Sequence, residues 1–237
     1  MTENSLLRRV VAEFTGSAFL LAAIVGSGIM AERLAGGNSV IALLGNSVAV
    51  GAALVALIST FGGISGAHFN PAVTISDAVC GGLAWRDVPF YIIAQIAGAF
   101  LGVGAANLMF DLPVFFASQK IRAGGSQLLS EFIATFGLLA VIWGCVRLRS
   151  AVVPFAVAAY IVAAFWFTAS TSFAKPAVTL ARSMSDTFAG IRPADAPSFI
   201  AAQFLGAITA TALFGWLIPI GKNEAEAVIV SYRENKD

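Results

Sequence analysis

The sequence has few charged residues and almost no side chains that bind metals or act as nucleophiles. Only 11% of its 237 residues are charged, and it contains one histidine and two cysteines. Because no cluster of acidic or cysteine side chains stands beside the histidine, we expect no metal, no cofactor and no enzymatic activity. The cysteines, Cys80 and Cys145, lie in apolar surroundings, which is typical of small buried residues rather than of a disulfide framework.

A net charge of +1 leaves no basic stripe on the protein, so no nucleic-acid partner is expected. What the sequence has in abundance is apolar residues. They make up 58% of the chain, and the mean hydropathy is +0.86, whereas a soluble domain contains about 45–50%. The sequence therefore predicts an integral membrane protein with lipid as its surroundings.

Six apolar runs are long enough to cross a bilayer, which takes about 20 residues. Lipid requires the backbone to satisfy its own hydrogen bonds, so long unbroken runs predict helices and an all-α fold. The six runs are approximately Val10 to Ala31, Ser39 to Thr60, Val88 to Phe110, Leu128 to Val146, Ala151 to Thr171 and Pro197 to Ile218.

Two related segments interrupt these runs, SGAHFNPAVT at 65–74 and SFAKPAVT at 172–179. A proline at the first position of a helix loses no hydrogen bond, so Pro71 and Pro176 each predict a helix start. The apolar run from Pro71 to Val79 is too short to span a bilayer and predicts a re-entrant half-helix. Two such half-helices place two positive helix ends inside the membrane, which favours a pore over a catalytic site.

The two halves of the chain share three landmarks in the same order. They are the pairs Glu13-Phe14 and Glu131-Phe132, the two proline segments, and Gln95 and Gln203 in the third and sixth spans. Three spans per half is an odd number, so the second half must enter the membrane from the opposite face. We predict one membrane domain over 1–237, with inverted repeats at about 8–110 and 127–220 whose half-helices meet near the midplane.

Loop charges predict the orientation. If the spans alternate, one side carries most of the basic residues, and the positive-inside rule makes that side cytoplasmic. Its basic residues are Arg8, Arg9, Arg86, Arg147, Arg149 and Lys222. Both termini and a polar tail at 222–237 are therefore expected in the cytoplasm, although Arg33, Lys120, Arg122 and Arg192 on the other side make the bias moderate.

Together, the segment SGAHFNPAVT, the paired Glu-Phe and the glutamines of the third and sixth spans resemble the aquaporin and aquaglyceroporin family, over roughly Val10 to Ile218. The resemblance implies an hourglass of six transmembrane helices and two half-helices. It also implies a homotetramer with one pore per subunit, passing water and small neutral solutes such as glycerol. The residues it places at the pore midplane are Asn70, Pro71, Ala72, Lys175, Pro176 and Ala177.

Several polar residues have two interpretations each. Asn70 supplies a donor that orients a solute oxygen, or it is a plain helix N-cap. His68 lines the pore wall or is a neutral structural histidine. The resemblance implies that Glu13 and Glu131 accept backbone N–H bonds from the re-entrant loops; the alternative is that they carry protons in a transporter. Gln95 and Gln203 are expected to brace helices.

By the same resemblance, the outer constriction falls near Val50, Ala163, Ser172 and Val178. Water-selective members carry arginine where this chain has Val178, so we expect a wider and less water-selective filter. Arg182 lies one turn further on and either leans toward the pore or braces a loop. The valine filter and the segments 179–183 and 186–191 resemble bacterial aquaglyceroporins of arsenic-resistance operons, which adds arsenite and methylated arsenicals as solutes and a bacterial inner membrane as the location.

Lys175 stands where the family has its second asparagine. A cation at a helix N-terminus opposes the dipole at a cost of about 0.3–1 kcal/mol, and an intramembrane lysine costs about 2.5–3.5 kcal/mol more. Three hypotheses compete. The lysine blocks or narrows the pore, which we favour; it makes the pore prefer anions; or it loses its proton or pairs with Glu131 and leaves conduction almost normal.

A secondary transporter also uses inverted repeats and broken helices. It remains the alternative function, although more carboxylates would be expected at the midplane for ion coupling. Counterflow, or dependence on a proton gradient, would distinguish the transporter from a channel.

Overall fold

The computed structural model describes residues 5–218, and their secondary structure is entirely helical. The predicted tail at 222–237, with Lys222, lies outside these residues. Short 3-10 turns precede α6 and α8, at Ser150–Val152 and Pro193–Asp195. The eight helices are α1 (Leu6–Leu34), α2 (Ser39–Ser65), α3 (Pro71–Val79), α4 (Val88–Met109), α5 (Gly125–Leu148), α6 (Val153–Phe167), α7 (Pro176–Arg182) and α8 (Ala196–Leu217).

Six of the helices are long and apolar enough to cross a membrane, which confirms the predicted number of spans. The other two, α3 and α7, have nine and seven residues and begin at Pro71 and Pro176. The main differences from the predicted spans are at the ends. α2 continues to Ser65, where Gly66 ends it in the left-handed conformation (φ 87°). α6 stops at Phe167 because Thr168 is extended, so the polar residues up to Thr171 belong to the loop before α7.

Five of the six long helices pack mainly within their own half of the chain, whereas α6 packs mainly against α2 of the other half. α1 packs against α2 and α4, and α5 packs against α6 and α8 in the same arrangement. The two halves meet where α2 packs against α6. The half-helices α3 and α7 contact each other, and each of them contacts both α4 and α8. Both half-helices are thus held between the two repeats.

Glycines allow the closest of these approaches. A Cβ atom at Gly98 in α4 would lie 2.1 Å from the carbonyl oxygen of Phe14 in α1. At the equivalent place in the second half, a Cβ at Gly206 in α8 would lie 2.4 Å from the carbonyl oxygen of Phe132 in α5. Any larger residue at either position would push the helix pair apart, which is why small residues recur where membrane helices cross.

The outer surface carries many large apolar side chains. A soluble monomer rarely exposes so large an apolar area, whereas a surface in lipid requires it. These side chains lie on several of the long helices, and include Phe19, Val48, Ile93, Leu101, Leu129, Phe155, Phe167, Ile208 and Trp216.

Candidate functional site: the junction of the two half-helices

The N-terminal ends of α3 and α7 meet inside the protein. Asn70 caps α3, since its side-chain oxygen accepts a hydrogen bond of 2.9 Å from the backbone N–H of Ala72. The side-chain nitrogen of the same residue donates a hydrogen bond of 3.0 Å to the carbonyl oxygen of Ala174, in the loop before α7. Asn70 therefore caps one half-helix and ties it to the approach of the other.

The residues that follow each cap occupy equivalent places. Pro71 and Pro176 are the first residues of α3 and α7, where a missing N–H costs nothing. Ala72 and Ala177 come next, and both are buried. Their small side chains allow the two half-helix ends to lie close to each other in the interior.

Lys175 occupies the cap position of α7 but does not act as a cap. Its side chain has no acceptor for a backbone N–H, and it makes no capping hydrogen bond. It is buried, with 7% of its surface exposed. Among residues 5–218 it has no ion-pair partner, and no acceptor there takes a hydrogen bond from its ammonium. The proposed pairing with Glu131 is therefore absent from this structure.

The loop before α3 has a strained backbone that a carboxylate holds in place. Ala67 and Phe69 have positive φ angles of 49° and 44°, which cost about 1–2 kcal/mol each in residues other than glycine. Glu13 accepts hydrogen bonds from the backbone N–H groups of His68 (3.0 Å) and Phe69 (2.8 Å), and from the hydroxyl of Ser65 (2.6 Å). Consecutive N–H groups turned toward one anion form a backbone nest.

The loop before α7 repeats this arrangement. Ser172 and Ala174 have φ angles of 51° and 53°. Glu131 accepts hydrogen bonds of 2.9 Å from the N–H groups of both Phe173 and Ala174. Each half of the chain thus uses one buried glutamate on its first helix to fix the loop that leads into its half-helix.

A glutamine connects each glutamate to its half-helix. The Gln95 side chain donates hydrogen bonds of 2.8 Å to Glu13 and to the hydroxyl of Thr74 in α3. Gln203 likewise donates to the second glutamate (2.6 Å) and to Thr179 in α7 (2.8 Å). The two threonines are functional positions to which sequence reasoning gave no role, although both stand at the same place in the repeated PAVT segment.

His68 is buried between two polar side chains of α3. Its Nδ1 atom lies 3.1 Å from the hydroxyl of Thr74, and its Nε2 atom lies 3.5 Å from a carboxylate oxygen of Asp77. These contacts fix the orientation of the ring. Asp77 had not been identified from the sequence, because a single aspartate in an apolar helix gives no indication of its partner.

A cavity adjoins the junction on the side where α2 ends and α6 begins. His68, Asn70 and Lys175 are polar residues in its wall. The rest is mainly aliphatic, from α2, α3, α5 and α6, and comprises Leu54, Ile58, Val73, Leu138, Ile142, Val153 and Val157. The cavity is therefore mainly apolar, with a few polar groups beside the junction.

Three of the four expected filter residues are buried. These are Val50, Ser172 and Val178, and the hydroxyl of Ser172 has no hydrogen-bond partner within the described residues. Ala163 instead lies on the exposed face of α6, whereas the next residue, Ala164, is fully buried. Ala164 follows cavity-lining Val157 by seven residues, which places both on one face of the helix.

Arg182 lies inside the protein beside the loop that precedes α7. Its guanidinium carbon is 3.4 Å from the ring centre of Phe173, and its Nε atom donates a hydrogen bond to the carbonyl oxygen of Ala189. A second arginine, Arg122, reaches the same ring from the loop between α4 and α5, at 5.0 Å. It donates hydrogen bonds to the carbonyl oxygens of Gly190 (2.9 Å) and Ser170 (3.0 Å).

Sequence reasoning had counted Arg122 only as a loop charge. Its side chain is brought to the site by a long loop, which runs beside residues 183–192 through the pairs Ser118 N to Ser183 O and Arg192 N to Lys120 O. Such pairing between distant loops leaves no periodic pattern that sequence reading detects.

No group of three histidine, cysteine or acidic side chains in the described ranges is placed to hold a metal ion. The junction instead has backbone and side-chain hydrogen-bonding groups beside a mainly apolar cavity. Such a site can orient an uncharged oxygen-bearing molecule without changing it chemically.

Comparison with known proteins agrees with this arrangement. The protein-family model described as Major intrinsic protein matches residues 1–171. The aquaglyceroporin AqpS of Rhizobium meliloti (strain 1021) is 53% identical over 218 residues, which cover 92% of this chain and 93% of the relative. A probable aquaporin of the NIP type from Nicotiana alata is 36% identical over 141 residues, 59% of this chain and 51% of that protein.

Among solved structures, the aquaglyceroporin from Plasmodium falciparum has a similar fold. The TM-score is 0.68 at 20% sequence identity, over 91% of this chain and 98% of the other. The six spans, the two half-helices and these matches together show that the chain belongs to the major intrinsic protein family.

Proposed function

We propose that the chain is a passive membrane channel for water and small uncharged solutes of about the size of glycerol. The observation that carries this proposal is the junction itself, where Asn70 joins the two half-helices at the inner end of an apolar cavity. Family membership assigns the chain to transport rather than to catalysis, and the similarity to an aquaglyceroporin of R. meliloti supports solutes beyond water.

Passage of an uncharged solute requires hydrogen-bonding groups at intervals along an apolar wall. His68 and Asn70 supply such groups in the cavity. Ser172, whose buried hydroxyl has no partner among the described residues, supplies another at the proposed outer constriction. The positive ends of the half-helices oppose the entry of cations and protons. A carbon chain with hydroxyl groups matches this alternation of apolar and polar surface.

The outer constriction in this proposal is formed by Val50, Ser172, Val178 and a residue of α6. For the α6 position we propose Ala164 rather than Ala163, because Ala164 continues the cavity-lining face of the helix. A constriction with two valines and no arginine is wide and apolar, so the filter passes glycerol, and arsenite in its neutral form, well relative to water.

Lys175 narrows the channel at the junction. Its side chain lines the cavity, and no partner in the described residues draws it away from the bore. A lysine is longer than the asparagine it replaces in the family pattern and adds a positive charge. The protein therefore conducts less than a relative with two asparagines.

A permeability series tests the channel function directly. Proteoliposomes containing the purified protein are exposed to osmotic gradients of glycerol, urea and arsenite, and to a water gradient, and the volume change is followed by light scattering. We expect glycerol influx above that of protein-free liposomes and no acceleration by a proton gradient. Counterflow of labelled solute, or a requirement for the gradient, would instead support the secondary transporter.

The proposed orientation places both termini in the cytoplasm of a bacterium, at its inner membrane. It is supported by the excess of basic residues on the side of the α1 start and the α5 to α6 turn, including Arg9 and Arg147. Reporter fusions after Asp237 and near Lys120 should give opposite signals, and equal signals would exclude six alternating spans.

The protein is also proposed to be a homotetramer, with each subunit forming its own pore. The apolar outer surface supports this, because it suits both lipid and neighbouring subunits. Mass measurement of the complex released from mild detergent should give four chains, and a single chain of 24.5 kDa would contradict the proposal.

A further inference from the structure

The Lys175 side chain is a buried hydrogen-bond donor group without an acceptor. An ammonium carries three N–H donors, and none of them meets an oxygen atom in the described part of the chain. Burying a charge is costly unless it is paired and hydrogen-bonded. The ammonium therefore requires a counter-ion or acceptor that residues 5–218 do not supply.

The two nearby carboxylates are already committed to the loops. Glu13 accepts four hydrogen bonds, from Ser65, His68, Phe69 and Gln95. Glu131 accepts three, from Phe173, Ala174 and Gln203. Neither carboxylate forms an ion pair with the lysine, and turning one toward it would release strained backbone.

The side chain of Lys175 lines the cavity at the junction, together with Asn70 at the start of α3. The nine-residue helix α3 begins there with its positive end directed toward the junction. Asn70 offers no competing negative charge, because its amide is neutral and is bonded to the backbone on both sides.

We infer that Lys175 binds a small, weakly hydrated monovalent anion in this cavity, with nitrate as a suitable example. The binding surface is the ammonium and the α3 end, and the remaining wall is mainly aliphatic, with His68 and Phe69 as its other side chains. Aliphatic groups do not replace lost water, and the cost of dehydration rises steeply with charge. Sulfate and phosphate, which carry more charge, are therefore not expected to bind in the cavity. The inferred anion site depends on the proposed channel function only for its expected effect on flux, because a bound anion would occupy the bore.

Thermal stability of the purified protein in detergent measures binding without relying on conduction. Nitrate and sulfate are compared at equal ionic strength, so that charge screening is matched. The Lys175 variants control for the general effect of each salt on stability. At a nitrate concentration several times Kd, we expect a rise in Tm of about 2–4 °C. Lys175→Met and Lys175→Asn should lose the rise, and Lys120→Met should keep it, because Lys120 is an exposed lysine bonded to the carbonyl oxygen of Phe188.

The two lysine variants at position 175 decide the inference. If nitrate shifts Tm equally in the unaltered protein and in Lys175→Met and Lys175→Asn, or shifts none of them, the anion site is absent. Flux supplies a separate readout, in which nitrate should lower glycerol permeability several-fold only when Lys175 is present. A Lys175-dependent Tm shift in a protein that conducts no solute would preserve the anion site and reject the channel proposal.

Discussion

The side-chain nitrogen of Asn70 lies 3.0 Å from the carbonyl oxygen of Ala174, so a single hydrogen bond connects the two halves of the internal repeat at the point where their half-helices meet. At the equivalent position of the other half, Lys175 does not cap α7, because an ammonium has no acceptor for a backbone N–H. The junction is thus symmetric in its backbone and asymmetric in its side chains.

Asn70→Ala is expected to destabilise the protein by roughly 2–4 kcal/mol. The change removes the cap on the N–H of Ala72 and leaves the buried carbonyl oxygen of Ala174 without its donor. Thermal unfolding in detergent measures the loss. Asn38→Ala is the matched control, since Asn38 caps α2 at an exposed position and should cost only about 1 kcal/mol. Equal losses for the two variants would mean that the bond across the junction adds nothing.

Glu13→Gln should lower stability by about 2–4 kcal/mol, because the variant turns an amide NH₂ group toward donors that now face a carboxylate. Glu131→Gln should behave in the same way, since its contacts repeat those of Glu13. The measurements are Tm and the fraction that elutes without aggregation. Glu32→Gln on the exposed end of α1 serves as the control, and a Glu13→Gln protein as stable as this control would contradict the role assigned to the carboxylate.

Val178→Arg should reduce glycerol permeability about tenfold, the factor that about 1.4 kcal/mol of barrier produces, and should reduce water permeability less. The long cationic side chain restores the charged constriction that the chain lacks. Val178→Leu adds bulk without charge and separates the two effects. Unchanged glycerol and arsenite flux in Val178→Arg would show that Val178 is outside the constriction or that the pore does not carry these solutes.

Much of the fold was predictable from the sequence because each feature depends on short-range chemistry. Apolar runs predicted the six spans, and a proline at a helix start predicted the first half-helix over Pro71–Val79. Helix ends were less predictable. α6 ends before Thr168, since the polar stretch that follows is held as a loop by Glu131, a contact between residues far apart in the chain.

The side-chain partners at the site were harder to predict than its location. Lys175 marked the junction by breaking the repeated motif, yet its lack of a partner depends on where both carboxylates point. On α6, Ala163 is exposed and Ala164 is buried on the face of cavity-lining Val157. Which of the two reaches the constriction depends on helix rotation and stays a prediction. Arg122 reaches its carbonyl partners through a loop with no periodic pattern.

Glycerol permeability of Lys175→Asn proteoliposomes, compared with the unaltered protein and with Lys175→Met, tests the central claim most directly. Asparagine shortens the side chain and removes the charge, so permeability should rise several-fold and the protein should become more stable, since a buried intramembrane lysine costs about 2.5–3.5 kcal/mol. If bulk limits passage, Lys175→Met stays poorly permeable; if charge limits it, Lys175→Met recovers much of the flux. An unaltered protein that conducts glycerol as fast as Lys175→Asn would contradict the claim that Lys175 narrows the channel.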